Sequence, residues 1–313
     1  MSGAASGGPV RAGRSQAGYV ALVPLLGVLW GLNWPAVKIC LGEIAPWTLR
    51  MTGTLLGGAI LAAIVLLRGG SLLVPRAHWP RLAAAGILTI GAFNILLAFA
   101  QLAAPTSRSA IVTFTMPIWA TLFARLVLGE PLDRRRLAGL ALGIAGLASL
   151  GLPLLRAGQL SLGLLWALLG GMSWAAGTIV TKRFPVAAPP LAIAAWQLLI
   201  GALFAALGML AFEGVPVPRP LGGATMLALA YHILLAQAFA YFLWFEIVAR
   251  IPAGIASLGM LIVPAVGVSG AMAFLGERPS AADLLGLALI IAAAAAVLLP
   301  PRPARAAAPA RTP

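Results

Sequence analysis

The feature that most constrains this chain is a series of ten long apolar runs, separated by short segments rich in Arg, Pro and Gly. Each run has about 20 residues, the length that an α-helix needs to cross a bilayer. Only 9% of the residues are charged, whereas a soluble domain carries about 25%. We therefore predict an all-α polytopic membrane protein with ten transmembrane helices. The predicted spans are residues 19–39, 47–67, 82–102, 108–128, 136–154, 160–180, 189–211, 222–245, 253–275 and 281–300.

The basic residues fall mainly on one side of these spans. With the N-terminus in the cytoplasm, fifteen of the 21 Lys and Arg residues lie in inner segments, five lie in outer segments, and Arg50 lies within a span. This positive-inside bias predicts a cell (inner) membrane protein with both termini cytoplasmic. It also accounts for the net charge of +14 without a nucleic-acid partner. The small, Pro-rich and basic ends, residues 1–18 and 301–313, are predicted to be disordered tails.

A nine-residue sequence occurs twice in the chain. AFNILLAFA at 92–100 returns as AYHILLAQA at 230–238, so that Asn94 corresponds to His232. Shorter motifs also recur, including GLNW and GMSW in the first span of each half and LGE at the end of the fourth. These recurrences predict two repeats of five spans each, residues 19–154 and 160–300.

The number of spans in each repeat determines how the repeats are related. Because five is odd, the second repeat must lie inverted in the membrane, an arrangement typical of transporters that exchange the conformations of their two halves. Duplication without transport would leave the same pattern. Pro117 and Pro264 occupy equivalent places in spans 4 and 9 and are predicted to kink these helices as hinges. Prolines that packing merely tolerates are the alternative.

Three segments of the chain resemble EamA-type permeases of the drug/metabolite transporter (DMT) superfamily. They are LLGVLWGLNWPAVK, TFTMPIWATLFARLVLGEPL and SLGMLIVPAVGVSGAMAFLGERP, and the resemblance covers roughly residues 20 to 299. It implies two inverted five-helix units, with spans 1–4 and 6–9 around a central cavity and spans 5 and 10 at the periphery. It also implies transport of small organic solutes such as amino acids, other metabolites or drugs, often outward.

Acidic residues are few, and each of the seven lies near the end of a predicted span. A charged group within the bilayer is costly and marks a functional site, so the lack of a carboxylate at mid-depth argues against proton antiport through a buried Asp or Glu. Two groups keep proton coupling open: Glu246, near the inner end of span 8, and His232, near its middle. A neutral histidine that bonds a neighbouring helix is the alternative for His232.

The candidate substrate-cavity residues are polar or aromatic groups placed within the spans. Asn94 and Gln101 share one helical face, and Trp34 and Trp174 occupy equivalent positions as possible apolar walls. Interhelical hydrogen bonding and interfacial tryptophans would give similar patterns. Arg50 is predicted either to bind a substrate carboxylate or to be paired structurally. The full set is Asn33, Trp34, Arg50, Asn94, Gln101, Ser173, Trp174, Trp196, Gln197, His232 and Gln237.

These features predict a secondary transporter, an exporter of small organic metabolites such as amino acids, that works by alternating access as a monomer or homodimer. The chain shows no His/Cys cluster with metal spacing and no motif that pairs a nucleophile with a base, so neither a metal, a cofactor nor an enzyme is predicted. The alternatives are a non-transporting membrane scaffold or sensor and, within transport, an importer of a metabolite or drug.

Overall fold

The computed structural model describes residues 16–156, 161–217, 219–248, 250 and 253–298. Across these ranges all regular structure is helical, as predicted, and no strand occurs. The helices are α1 (Leu22–Cys40, after the short helix Gln16–Val20), α2 (Pro46–Leu67), α3 (Arg76–Ala103), α4 (Thr106–Leu128), α5 (Arg134–Arg156), α6 (Leu162–Arg183), α7 (Pro190–Phe212), α8 (Gly223–Val248), α9 (Ala253–Leu275) and α10 (Ala281–Leu298).

The helices coincide with the ten predicted spans. Nine helices of the described residues are long and apolar enough to cross a membrane, and Met260–Leu275 in α9 forms a shorter apolar helix. Large apolar side chains cover the outer surface, among them Leu126, Leu203 and Leu227, each more than half exposed. Such a surface suits lipid contact. The predicted tails fall outside the described residues, except that residues 16–18 belong to the short helix before α1.

The helix ends form two faces. The N-terminal face carries the start of α1 and the loops 68–75, 129–133 and 184–189. The opposite face carries the loops 41–45, 104–105 and 276–280 and the loop residues 213–217 and 219–222. Because each unit contributes five helices, α1 starts at the N-terminal face and α6 starts at the opposite face. The second unit is therefore inverted relative to the first, as the odd number of spans predicted.

The packing of the helices follows the same two-fold relation. Helix α1 packs on α9 as α6 packs on α4, and α3 packs on α6 as α8 packs on α1. The pairs α2–α7 and α5–α10, each made of equivalent helices, pack on one another. Each of these contacts thus has an inverted counterpart or joins two equivalent helices, which confirms two inverted five-helix repeats.

The recurring glycine of GLNW and GMSW allows two of these helix pairs to approach closely. A Cβ atom on Gly31 would lie 2.5 Å from the Cβ of Val266 in α9. A Cβ atom on the equivalent Gly171 would lie 2.9 Å from the carbonyl oxygen of Thr113 in α4. Small residues at such crossings let backbones meet, which is how helices associate in a bilayer.

The recurring LGE motif ends a helix in each repeat. Gly129 and Gly276 have φ angles of 72° and 67°, the left-handed conformation that terminates a helix with little strain only when the residue is glycine. The amides of Glu130 and Glu277 then both donate to the carbonyl six residues back, each at 3.3 Å. The motif thus stops α4 and α9 and turns a glutamate towards the neighbouring helices.

Replacing Gly276 with alanine is expected to lower the free energy of unfolding by about 1 kcal/mol, because a Cβ atom strains the left-handed conformation. The matched control is Gly151→Ala in α5, where nothing lies within 4 Å of a new Cβ atom. Alanine there is expected to be neutral or stabilising, since it favours the helix. Thermal unfolding in detergent measures both, and equal effects at the two positions would contradict the assignment.

The segment that occurs twice lies at irregular turns in both repeats. Residues Ile87–Ala92 of α3 form a π-helical stretch directly before Asn94, and Tyr231–Phe239 of α8 form another that contains His232. Such widened turns are rare, and they concentrate at functional sites because they leave carbonyl groups without a partner in the regular ladder.

The two prolines predicted as hinges differ in their surroundings. Helix α4 is interrupted at residues 114–115, and Pro117 lies in the first turn of its second part. Helix α9 continues without interruption through Pro264. The Thr115 hydroxyl donates to the Val112 carbonyl at 2.7 Å and so satisfies a group at the break, whereas Ile262 stands at the equivalent position of α9. The two prolines therefore differ in that α4 alone is interrupted beside its proline, and their role as hinges stays a prediction.

Candidate functional site

A cavity of about 490 Å³ runs between the two repeats and is the candidate site. Its wall is formed mainly by α1, α3, α4, α6, α8 and α9. Its volume lies within the usual range for sites that enclose small organic molecules. The cavity extends from charged side chains at the N-terminal face to Arg50, Asn94 and Gln101 at a closed end, where exposure falls to 7% or less.

The mouth of the cavity carries three charged side chains. Glu130 forms ion pairs with Lys182 and with Arg136, the second at 3.1 Å. The hydrogen bond from Lys182 is the largest cause that lowers the pKa of the Glu130 carboxyl below its usual value, and Arg136 lowers the pKa further. The glutamate therefore stays ionised at neutral pH, and the mouth carries one negative and two positive charges.

The middle of the cavity has aromatic walls. Trp34 of α1 and Trp174 of α6 line it from equivalent positions in the two repeats. Trp30 also lines it and is fixed by a hydrogen bond from its Nε1 to the Ala236 carbonyl at 3.2 Å and by an edge contact with Tyr241. Rigid apolar faces of this kind suit the hydrocarbon or aromatic part of a solute.

The closed end of the cavity is polar. The Arg50 guanidinium is 2% exposed and donates from Nη1 to Asn94 Oδ1 at 3.2 Å. Asn94 Nδ2 donates in turn to the Ile90 carbonyl in the π-helical stretch of α3, at 2.9 Å. Three buried atoms of the lining, Arg50 Nε, Thr89 Oγ1 and Gln101 Oε1, have no partner within the described part of the chain. Unsatisfied buried polar atoms are rare and mark a place for water or a ligand.

The opposite face is closed beyond this end. Glu277, at the end of α9, accepts hydrogen bonds from the Thr106 and Ser107 amides at the start of α4, at 2.6 and 2.9 Å. Glu43 accepts hydrogen bonds from the Thr225 hydroxyl and from the Gly222 amide, the latter at 2.8 Å. The bond from Thr225 is the main cause that lowers the pKa of the Glu43 carboxyl, and the bond from Gly222 adds to it. Each glutamate ties a helix of one repeat to a helix of the other.

The chain is similar to known proteins along most of its length. A sequence model of the EamA-like transporter family matches it twice, over residues 18–152 and 161–299. The chain belongs to this family. The two matches correspond to the two repeats of the EamA-like fold, and the family assignment indicates a membrane transporter rather than an enzyme.

Named relatives of this EamA-like transporter cover most of its length. It is 28% identical to the probable amino-acid metabolite efflux pump of Salmonella typhimurium, over 88% of this chain and 92% of that protein. It is 32% identical to protein PecM of Dickeya dadantii, over 75% and 78%. A solved crystal structure with 25% sequence identity matches with a TM-score of 0.62, covering 88% of this chain and 96% of the other.

Most of the predicted cavity residues of the EamA-like transporter lie on the cavity wall. Asn33 lines it and also contacts His232 behind it, and Gln237 contributes from the π-helical stretch of α8. Of the two predicted hinges, Pro117 alone is on the wall. The predicted cavity residues that line the cavity are Asn33, Trp34, Arg50, Asn94, Gln101, Trp174, Gln197 and Gln237.

Three predicted residues lie behind the wall instead. His232 is fully buried, and its Nδ1 bonds Asn33 Oδ1 at 2.7 Å. The Ser173 hydroxyl donates to the Leu88 carbonyl, and Trp196 Nε1 donates to the Leu72 carbonyl, both at 2.8 Å. The sequence gives the position of a residue along a span, but these side chains turn towards neighbouring helices or, for Trp196, the loop 68–75, where their polar atoms find partners. In this conformation His232, Ser173 and Trp196 therefore lie behind the cavity wall, and a contact of these residues with substrate stays a prediction.

Other lining residues were missed from the sequence. The sequence predicts only topogenic charge for Arg136 and Lys182 and a place near a span end for Glu130, because their pairing across loops is not visible in a linear chain. Thr89 carried no repeat signal. Helix α10, which the family resemblance placed at the periphery, packs on α5 but also reaches the wall near the N-terminal face. Its lining residues are Ala294, Val297 and Leu298.

No group of three or more His, Cys, Asp or Glu side chains that could hold a metal ion occurs in the residues that the structure describes. The side chains that line the cavity offer the Arg50 guanidinium at the closed end, the charged groups of Arg136, Lys182 and Glu130 at the mouth, several amides and hydroxyls, and aromatic faces. This set can bind and orient a solute. Binding followed by release at the other face is what transport requires.

Proposed function

We propose that this protein is a secondary transporter that exports small organic metabolites, with amino acids among the candidates, by alternating access. The observation that carries the proposal is the cavity of about 490 Å³ enclosed by helices of both inverted repeats and reaching one face. Such a site, between two halves that can exchange conformations, is the arrangement used by transporters with inverted repeats. In this proposal the units 19–154 and 160–300 are the two moving halves.

Two observations support the outward direction. The excess of Lys and Arg at the N-terminal face favours a cytoplasmic position for that face, so the mouth of the cavity would receive solute from the cytoplasm. A relative that is 28% identical is named a probable amino-acid metabolite efflux pump. Both termini are cytoplasmic in this proposal.

Flux measurements test the transport function. The purified protein is reconstituted in proteoliposomes, and the release of amino acids and related metabolites is measured against empty liposomes. We expect carrier-dependent flux that saturates with solute concentration. If no solute in a broad panel moves while the protein remains folded, the transport proposal fails, and a scaffold or sensor role becomes the better interpretation.

Labelling of a single cysteine tests the orientation. Ala120 lines the cavity, and the native Cys40 is buried. We expect Ala120→Cys in vesicles to react with a membrane-impermeant maleimide applied from the cytoplasmic side, at least tenfold faster than from the other side. The unmodified protein, with Cys40 as its single cysteine, is the control and should not react. Faster labelling from outside would reverse the proposed orientation.

A further inference from the structure

We infer that the substrate carries a carboxylate, which the Arg50 guanidinium binds at the closed end of the cavity, and that no charged group of the cavity recognises a substrate amine. This inference rests on the transport function proposed above, because it takes the cavity as the substrate site. It narrows small organic metabolites to organic monoanions with an apolar body.

The first step of the argument is the unsatisfied state of Arg50. A guanidinium has five N–H donors in a planar fork and keeps its charge. Arg50 makes one side-chain hydrogen bond, from Nη1 to the neutral Asn94 Oδ1, and its buried Nε has no partner in the described part of the chain. A buried charge without a counter-ion is costly, so the resting protein lacks a group that the site is built to receive.

The second step is that the chain supplies no counter-ion of its own. All seven Asp and Glu residues lie within the described residues, and each has partners elsewhere. The partners are Gly222 and Thr225 for Glu43, Lys182 and Arg136 for Glu130, the Arg136 amide for Asp133, the Trp47 and Thr48 amides for Glu213, Arg68 and Arg250 for Glu246, the Thr106 and Ser107 amides for Glu277, and Arg108 and Ser280 for Asp283.

The third step is the chemistry that surrounds the guanidinium. A carboxylate matches the planar fork with two parallel hydrogen bonds. A phosphate carries about 1.5 to 2 negative charges at neutral pH, more than one guanidinium neutralises. The aromatic faces of Trp34 and Trp174 line the same cavity and suit an apolar body. The geometry therefore fits a carboxylate with a hydrocarbon or aromatic remainder better than an inorganic anion.

The fourth step concerns the amine of an amino acid. The carboxylate nearest to the cavity is Glu130, which lies at the mouth and already pairs with two cations. Among the buried lining atoms that have no partner in the described part of the chain, the acceptors are the neutral Gln101 Oε1 and the Thr89 hydroxyl. These can accept a hydrogen bond from an amine but do not require its charge. An acid that lacks the amine should therefore still bind.

The experiment uses four probes with one aromatic body. They are 3-phenylpropionate, phenylalanine, phenylalaninamide and 2-phenylethylamine, and the readout is thermal stabilisation of the purified protein in detergent over a range of concentrations. We expect the two carboxylates to stabilise the protein and the amide and amine to have no effect. This comparison on the unmodified protein does not depend on any variant folding.

Variants assign the effect to Arg50. Arg50→Gln is expected to weaken apparent carboxylate affinity about 10- to 100-fold, the usual loss for hydrogen bonds to a charged group, while Arg50→Lys keeps the charge and loses less. Without ligand, Arg50→Gln should be as stable as the unmodified protein or more so, since it removes an unpaired buried charge. Arg125→Gln, at an exposed position of α4, is the matched control and should leave carboxylate binding unchanged.

Each other outcome contradicts the inference. Equal stabilisation by the amide or amine, a strict need for the amine, no effect of any carboxylate, or unchanged carboxylate affinity in Arg50→Gln would overturn it. The proposed function fails separately. Carboxylate binding through Arg50 without flux in proteoliposomes would count against transport alone, whereas flux of neutral or cationic solutes that ignores Arg50 would count against this inference alone.

Discussion

Gly53→Ala is expected to lower the free energy of unfolding by about 1–3 kcal/mol, the usual cost of overpacking a close-packed interior. A Cβ atom on Gly53 in α2 would lie 2.4 Å from Nε2 and 2.7 Å from Cδ2 of His232 in α8. The ring cannot move aside without cost, because it is fully buried and its Nδ1 bonds Asn33. Thermal or denaturant unfolding in detergent measures the loss.

A double substitution separates this contact from a general effect of alanine. His232→Ala removes the ring, so Gly53→Ala should cost little in that background, and the two losses should fall short of additivity by about 1 kcal/mol or more. Gly223→Ala, at the start of α8, has nothing within 4 Å of the new Cβ atom and is the control. If the two losses of stability were additive, the His232 ring would not be in contact with Gly53.

This contact also bears on proton coupling. His232 was the mid-membrane group that the sequence offered as a proton carrier, but the structure packs its ring against Gly53 and behind the cavity wall. The His232 ring in this position can exchange a proton with the cavity only if the contact between α2 and α8 opens. The structure thus favours the alternative drawn from the sequence, a histidine that bonds a neighbouring helix.

The fold followed from the sequence because the bilayer imposes one simple rule. A helix must satisfy its own backbone, so long apolar runs identify spans, and an odd number of spans in each repeat determines that the second is inverted. The repeats also identified the right regions, since Trp34 and Trp174, and Asn94 and Gln237, come from recurring segments and line the cavity. Pattern and position were therefore predictable.

The direction of individual side chains was not predictable. The π-helical stretch Tyr231–Phe239 shifts the helical phase of α8, so His232 does not line the cavity although its repeat counterpart Asn94 does. Ser173 and Trp196 turn to backbone carbonyls of α3 and the loop 68–75. These partners lie far away in the sequence, and only the folded chain reveals them.

Weakening the hydrogen bonds that close the opposite face is expected to change the accessibility of the cavity from that face. We expect this effect to be larger than that of any substitution at the mouth. Glu277 bridges the end of α9 and the start of α4, one helix from each repeat, through two amides. Its counterpart Glu130 makes ion pairs with side chains at the cavity mouth instead. Equivalent residues of the two repeats thus make different contacts at the two faces, as a structure closed on one face and accessible from the other requires.

Glu277→Gln keeps the size of the side chain but removes the charge that favours a helix N-terminus and one of the two carboxylate acceptors. If the weaker hydrogen bonds to the start of α4 cost the closed state about 1–2 kcal/mol, the population that is open at the opposite face rises roughly 5- to 30-fold. In the Ala120→Cys background, labelling by a membrane-impermeant maleimide from that face should rise by this factor, and labelling from the N-terminal face should fall only slightly.

The matched control is Glu246→Gln at the N-terminal face. Glu246 pairs with Arg68 and Arg250, each at 2.7 Å, and these exposed contacts contribute little. These ion pairs lie at the N-terminal face, from which the cavity is already accessible. Glu246→Gln should therefore leave labelling from the opposite face unchanged. If both glutamine variants raised that labelling alike, general loosening rather than the cap would be the cause. If Glu277→Gln had no effect, the opposite face would be closed by helix packing alone, and the glutamate of the second LGE motif would serve only to end α9.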